Sequence, residues 1–412
     1  MYETQQKPQT ALLVGVDTGD YDIDRSLEEL EELARSAGAE VVGKATQKRP
    51  NFDPATCIGS GRLAQIGEFV SNGEIDMVIF DHELSPAQLR NLEDCLECAV
   101  LDRTMLILDI FAQRATSNEG RLQVELAQLK YRLPRLAGIG KSMSRLGGGI
   151  GTRGPGETKL ESDKRHIRRR IEMLNEELEE MKQRRQRLRE RRKKDDFTTV
   201  AIVGYTNVGK STLLNKLTDS GVLAEDKLFA TLDPTARALT LPSGKTVMLV
   251  DTVGLVSRLP HHLVEAFKST LEEAANADLL LNVCDVSSPD FDQQLEVTKG
   301  LLKDLKADNI PTVTVLNKCD KLPEMPLVLD SRTAAISAKT GEGLEEMLVK
   351  IEKNLPETHR KATMLIPYSH TALVAEIRST GKVMEEEFTE KGTRLTALID
   401  MKLLHKVEQF IE

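Results

Sequence analysis

Residues Gly204 to Thr212 read GYTNVGKST and match the pattern G-x-x-x-x-G-K-[ST]. No other stretch narrows the fold as far, because this one works only between a buried strand and a helix. Thr199 to Val203 (TVAIV) supplies the apolar strand, and a helix is expected from near Lys210. Gly204 and Gly209 let the backbone turn so that its N–H groups converge on an anion. The positive end of the following helix faces the same point. Gly204, Tyr205, Thr206, Asn207, Val208, Gly209, Lys210 and Ser211 are therefore expected to bind nucleotide phosphates. Lys210 would reach the β- and γ-phosphates, and the Ser211 hydroxyl would ligate Mg²⁺. An ordinary glycine-rich turn would have no need of strand, loop and helix in this order.

Three further stretches name the nucleotide. Asp251-Thr252-Val253-Gly254 follows the strand TVMLV as D-x-x-G. Asp251 would hold Mg²⁺ through water, and the Gly254 N–H would sense the γ-phosphate. Asn317-Lys318-Cys319-Asp320 follows the strand TVTVL as N-K-x-D. The Asp320 carboxylate can accept two hydrogen bonds from the guanine edge, whose donors adenine lacks. Ser337-Ala338-Lys339 follows the next strand, where its backbone can contact the guanine O6. Between the P-loop and Asp251 lies Phe229-Ala230-Thr231-Leu232-Asp233-Pro234-Thr235, the place for a first switch. Thr231 is the candidate Mg²⁺ ligand there, with Thr235 second. The set from Gly204 to Lys339 resembles the translation-factor-related Ras-like GTPases, which implies GTP and GDP as ligands.

One position departs from that pattern. Many such GTPases follow D-x-x-G with a Gln that orients the attacking water. Here Leu255 stands instead, so intrinsic hydrolysis is expected to be slow. Asn207 sits where some GTPases use an Asn to help bind K⁺, although Asn also suits the turn. A K⁺ ion there would supply positive charge near the β–γ bridge. The candidates for catalysis are thus Lys210, Asn207, Thr231 and Gly254, and those for the metal Ser211, Thr231 and Asp251.

The remaining sequence divides around this centre. Strand and helix alternate from Ala11 to Asp102, which implies a parallel α/β domain over 1–105. Within it, Ser85 caps a helix that has Pro86 at its first position. Residues 106–196 are expected to form an antiparallel helical hairpin. Its first arm, Thr104 to Arg135, has apolar residues at helical spacing, and its second, Glu157 to Lys194, is rich in arginine. The glycine-rich stretch Gly138 to Gly156 joins them, carrying Lys141, Arg145 and Arg153. Gly149 to Gly154 matches G-x-G-x-x-G, but no strand precedes it, so a dinucleotide fingerprint is rejected. Residues 197–357 form the G domain and 358–412 a small α/β C-terminal domain. The fold expected is thus α/β throughout, with a P-loop GTPase domain between the hairpin and the last unit.

Charge and cysteines bound the partners. A net charge of −9 excludes a uniformly basic nucleic-acid binder, yet the arginine-rich helix is a local basic surface suited to RNA. Alternatively it is a solvated face with i,i+4 pairs. The five cysteines are scattered, which fits reduced thiols. Cys95 and Cys98 form C-x-x-C on a helix and read as two small residues there. No apolar run of about 18 residues or more occurs, so no membrane span is expected. The N-terminus lacks a signal-peptide pattern, and a cytoplasmic protein is expected.

Several stretches outside the G domain carry a closer resemblance. Asp102-Arg103-Thr104, Leu108-Asp109-Ile110-Phe111 and Gly147 to Lys159 (GGGIGTRGPGETK), with FATLDPT and DTVGL, are similar to the HflX family of ribosome-associated bacterial GTPases. The resemblance implies binding to the large ribosomal subunit and its RNA, stimulation of GTP hydrolysis by that subunit, and separation of stalled ribosomes into subunits. It also associates an ATP-dependent activity with the N-terminal region, where no second P-loop is present. Two other readings stay open: an assembly or checkpoint factor that leaves ribosomes intact, and an adaptor that signals nucleotide state to a protein partner. The chain is expected to be monomeric when free.

Overall fold

The computed structural model describes residues 8–73, 75–136, 155–194, 198–218, 229, 235–256, 258, 263, 274–356, 359–400 and 403–412. Strand and helix alternate through its N-terminal part as the sequence implies. The strands are β1 (Thr10–Asp17), β2 (Glu40–Lys48), β3 (Met77–Phe80) and β4 (Ala99–Asp102), and they pair in the order β2-β1-β3-β4, all parallel. Apolar runs such as Ala11 to Val14 are buried because helices cover both faces. Helices α2 (Ser60–Gly73) and α3 (Pro86–Leu96) cover one face through Leu63, Ile66, Leu92 and Leu96. Helix α1 (Ile23–Ser36) covers the other through Leu27, Leu30 and Leu33. The expected cap of α3 is present in full. Gln88 N donates to Ser85 Oγ at 3.2 Å, and Ser85 N donates to Gln88 Oε1 at 3.0 Å.

The long helical pattern after Thr104 is two helices, α4 (Arg103–Arg114) and α5 (Asn118–Arg135). Ala115 is extended, and Ser117 starts α5 by accepting from Gly120 N at 2.9 Å. A serine that caps a new helix competes with continuation of the old one. Asp102 caps α4 through Met105 N at 2.9 Å and also accepts from Leu84 N at 3.0 Å and from the Tyr131 hydroxyl. The guanidinium of Arg135 stacks on the Tyr131 ring. Asp102-Arg103-Thr104, the stretch that distinguished the sequence, is therefore buried structural wiring.

Helix α6 (Pro155–Lys194) packs on α5 around Leu174, which is fully buried between Leu122 and Leu126. Arg170 holds Glu125 by two hydrogen bonds, at 2.7 and 2.8 Å, and Arg185 meets Glu119 at 2.7 Å. The pairings run in opposite directions along the chain, so the two helices are antiparallel as expected. The glycine segment from Gly138 to Gly154 lies outside the described residues.

The G domain is a six-stranded sheet in the order β10-β9-β8-β5-β7-β6. These strands are β5 (Thr199–Gly204), β6 (Thr235–Thr240), β7 (Thr246–Asp251), β8 (Leu279–Asp285), β9 (Thr312–Asn317) and β10 (Thr333–Ala335). All pairs are parallel except β6 with β7. Sequence reading missed β6, because TARALT is an edge strand with exposed polar positions and no apolar run. Helices α7 (Lys210–Thr218), α8 (Phe291–Asp304) and α9 (Leu344–Asn354) pack on this sheet. Of the helix expected over His262 to Ala275, only Leu263, Ala274 and Ala275 are described, each helical.

The C-terminal unit is a three-stranded antiparallel sheet. Strands β11 (His359–Ile366), β12 (Lys382–Thr389) and β13 (Gly392–Asp400) pair in the order β11-β13-β12, with α10 (Thr371–Thr380) on one face. Met364, Ile366, Ile377 and Leu395 form its own core. A larger apolar cluster is shared between the N-terminal and G domains. Among the described residues no helix is long and apolar enough to cross a membrane.

The hairpin's packing gives a direct expectation. Leu174→Ala should cost about 2–5 kcal/mol, measured as a lowered unfolding midpoint in denaturant. An unchanged midpoint would show that Leu174 does not hold α6 to α5.

Candidate functional site

Strand β5 sits inside the G-domain sheet and delivers its carboxyl end to the P-loop. Gly204 has φ +149°, and a Cβ there would stand 2.2 Å from the Val283 carbonyl oxygen of the neighbouring strand. Gly209 has φ +95°, and its Cβ would meet Asn317 Nδ2 at 2.4 Å. Only glycine fits either position, for both conformation and space. Asn207 is also left-handed, at φ +59°, with an exposed side chain. Asparagine tolerates that conformation, so the turn accounts for Asn207 and its amide still faces outward.

Helix α7 starts at Lys210, whose side chain is folded inside the loop and is 6% exposed. Its Nζ donates to the carbonyls of Gly204 at 3.0 Å and Tyr205 at 2.7 Å. Burial pushes the Lys210 amine down to about 8, against the opposing pull of the Asp251 charge. Ser211 Oγ donates to Asp251 Oδ2 at 3.1 Å, so the structure brings these two sequence-predicted metal ligands together. A hydroxyl and a carboxylate are the hard oxygen donors that suit Mg²⁺. Thr252 turns away and donates to the Ile202 carbonyl at 2.6 Å. Val253 is buried, and Gly254 lies against Thr206 and Lys210. Leu255 is buried and pairs with the P-loop: Thr206 N donates to Leu255 O at 2.7 Å, and Leu255 N donates to Gly204 O at 3.2 Å.

The expected guanine-reading side assembles around one buried amide. Asn317 Nδ2 donates to the Val208 carbonyl at 2.7 Å, and its Oδ1 accepts from Ala338 N at 2.9 Å. Lys318 is left-handed, and its Nζ meets Asp285 Oδ2 at 2.8 Å. The Cys319 thiol is buried and points at the Leu316 carbonyl, so its role is local. Asp320 is exposed and accepts from Ser337 Oγ at 2.7 Å. That hydrogen bond, helped by the charges of Lys339 and Lys321, holds the carboxyl below its ordinary range and keeps it an acceptor. Lys339 is exposed beside it.

The first-switch residues Ala230, Thr231, Leu232 and Asp233 lie outside the described residues. Phe229 is described, and it is buried edge-on against Phe111 of α4, ring centres 4.6 Å apart. Thr235 opens β6 opposite Asp251. A cleft of about 310 Å³ runs between α1 and the outer face of the P-loop, lined by Tyr21, Arg25, Glu29, Asn207 and Lys318 among others. Sequence reading assigned nothing to its N-terminal wall. Glu29 accepts from the Tyr205 hydroxyl at 2.6 Å, and Arg258 reaches Asp81 at 2.7 Å. No periodicity or spacing announces such pairs, because their partners are far apart in the chain. The one available signal was Asp81 and His82 directly after a buried strand, where α/β sheets place working residues.

Family models match three consecutive segments of the chain. They are described as GTP-binding GTPase N-terminal over residues 24–112, GTP-binding GTPase Middle Region over 114–192, and 50S ribosome-binding GTPase over 199–318. A curated GTPase HflX of Caldanaerobacter subterraneus is 52% identical over 411 residues, which is 100% of this chain and 96% of the relative. That of Lacrimispora saccharolytica is 48% identical, covering 98% of this chain and 96% of its own. That of Escherichia coli is 40% identical, covering 95% and 94%. With a P-loop, a Ser–Asp oxygen pair and a buried N-K-x-D junction in place, and identities of this size along nearly the whole length, the chain belongs to the HflX family of GTP-hydrolysing GTPases.

Proposed function

We propose that this GTPase docks on the large ribosomal subunit and uses GTP binding and hydrolysis to dissociate stalled ribosomes into subunits. The observation that carries the reading is the exposed cations of α6. Arg165, Arg168 and Arg169, and further along Lys182, Arg184 and Arg187, are exposed on either side of the exposed acids Glu172, Glu176, Glu179 and Glu180, and α5 braces the helix from behind. Two braced basic clusters can neutralise RNA phosphates with little loss of conformational freedom. The match of the G domain to a family described as 50S ribosome-binding supports the same partner.

In this reading Lys210 neutralises the β- and γ-phosphates, and Gly254 N–H senses the γ-phosphate. Ser211, Thr231 and, through water, Asp251 would hold Mg²⁺, which would supply positive charge for the transferring phosphoryl group. Asp320 reads the guanine edge, with the Ser337 to Lys339 loop beside O6. The Asn207 amide, exposed on the P-loop rim, would help hold K⁺, which would supply further positive charge at the phosphates. Leu255 offers no polar atom to the attacking water, so contact with the ribosome supplies the missing help.

Sucrose-gradient profiles test the whole reading: intact ribosomes incubated with the protein and a non-hydrolysable GTP analogue should redistribute into subunits. Intact ribosomes that persist at saturating protein would overturn splitting. Purified ribosomes should also accelerate GTP hydrolysis on the order of a hundredfold or more. Exchanging K⁺ for Na⁺ should slow hydrolysis, and equal rates would remove the role of Asn207.

Asp320→Asn should weaken guanine-nucleotide binding by about tenfold or more, because an acceptor becomes a donor facing the guanine N1–H. Titration with a fluorescent GDP would show this directly. The lowered Lys210 amine predicts a pH effect of known sign. Below about 8 the amine is already charged for phosphate, and above it binding must first protonate Lys210. Affinity should therefore fall as pH rises through this range, and binding at the upper end should take up protons. Calorimetry in buffers of different ionisation enthalpy measures that uptake.

A further inference from the structure

The N-terminal sheet reverses its winding between β1 and β3, since β2 lies on one side of β1 and β3 on the other. The crevice at the carboxyl ends of such strands is where open α/β sheets take their ligands. Here Asp81 follows β3 and is fully buried, Ser26 lies in α1, and Tyr21 lies just ahead of it. A residue of the G domain fills the crevice. Arg258, a few positions beyond the D-x-x-G glycine, donates to Asp81 Oδ2 at 2.7 Å and to Ser26 Oγ. Its guanidinium lies over the Tyr21 ring, 4.0 Å from the centroid. Arg258 holds φ +51°, a conformation that a residue of this kind keeps only where its surroundings enforce it. Burial alone would raise the Asp81 carboxyl, but Arg103 and Arg258 outweigh it and keep the group below the ordinary carboxylate range.

The socket is wired to the phosphate loop from the other side as well. Arg103 donates to Asp81 at 2.8 Å and also bonds Glu29, which accepts from the hydroxyl of Tyr205 in the P-loop. Leu255, between Gly254 and Arg258, is zipped to the same loop by two backbone hydrogen bonds. These contacts close a ring that runs from the P-loop through Glu29, Arg103, Asp81 and Arg258 back to the P-loop. Inside that ring Gly254 lies against Thr206 and Lys210. A Cβ on it would stand 2.7 Å from Thr206 Cγ2 and 3.1 Å from Lys210 Nζ. Gly254 is thus packed close beside the lysine, with no room for a side chain between them.

We propose that the switch-point crevice of the N-terminal domain is a guanidinium socket for Arg258, and that seating Arg258 biases the G domain toward the diphosphate. A γ-phosphate on Lys210 has to lift Gly254 and Leu255, and with them Arg258. GDP leaves the ring closed. The N-terminal domain therefore raises the free energy of the GTP-bound state through one side chain. By linkage, GTP loosens the socket by the same factor. The proposal rests on Lys210 being the β/γ-phosphate contact.

The test uses the full-length protein and two fluorescent probes, a GDP and a non-hydrolysable GTP analogue. Arg258→Gln should lower the ratio of the analogue's Kd to that of GDP by about tenfold, chiefly by tightening the analogue. Arg258→Lys, which keeps the charge, should recover part of the ratio. Tyr21→Leu, which removes the ring and leaves the G domain untouched, should move it the same way as Arg258→Gln. Amide exchange at Thr206 and Leu255 should quicken in Arg258→Gln, a change that a merely structural surface arginine would not produce. A ratio that stays constant, or two affinities that shift together, would overturn the socket. Lys210→Ala separates this from the underlying reading. Undiminished binding of both probes by that variant would overturn the phosphate contact, whereas lost binding with a constant Arg258→Gln ratio would overturn the socket alone.

Discussion

The two hydrogen bonds of the Asn317 side chain hold the G domain's working surface together. One ties the end of β9 to the P-loop at Val208, and the other ties it to the loop after β10 at Ala338. The amide is 2% exposed, so neither bond has water as a substitute. A side chain with a donor and an acceptor at fixed separation is needed, because one neighbour presents a carbonyl and the other an N–H. Aspartate could not donate to Val208, and leucine would leave both backbone groups buried and unpaired. The P-loop and the loop after β10 are thus held in a single frame by one residue at a strand end. Asp320 and Ser337, bonded to each other at 2.7 Å, inherit their placement from it.

Much of this was legible because the G domain encodes its site at strand ends. Each motif follows a short apolar run, and a parallel sheet brings such ends to one edge whatever lies between them. The P-loop, D-x-x-G, N-K-x-D and the serine loop were therefore found by spacing alone. The α3 cap was legible for a related reason, since Ser85, Pro86 and Gln88 act within one turn. What escaped was tertiary. β6 has no apolar run, because it needs only one neighbour and faces solvent on its far side. The break at Ala115 to Ser117 carried a capping serine that the surrounding leucine spacing concealed. Tyr21, Glu29, Asp81 and Arg258 drew no assignment from the sequence, because only the fold puts them face to face.

The N-terminal domain is more than a carrier for the hairpin. Its sheet shares an apolar cluster with the G domain, and the aromatic pair Phe111 and Phe229 joins α4 to the G domain. Polar contacts and apolar packing thus join the two domains beside the phosphate loop. Buried ion pairs contribute little net stability when compared with apolar packing, and they strongly oppose removal of one partner. Such a contact holds one geometry and releases it as a unit.

Helix α6 has a mechanical meaning that follows from its length. Forty residues of α-helix span roughly 60 Å. Its C-terminal end leads, through residues 195–197, into β5, whose far end is the phosphate loop itself. A rod of this length turns a small angle at its C-terminal end into a large displacement at its tip. A rotation of about 5° at the base carries the tip about 5 Å, one helical turn. A change of angle that small at the base becomes comparable, at the far end of the arm, to the spacing of stacked nucleotides.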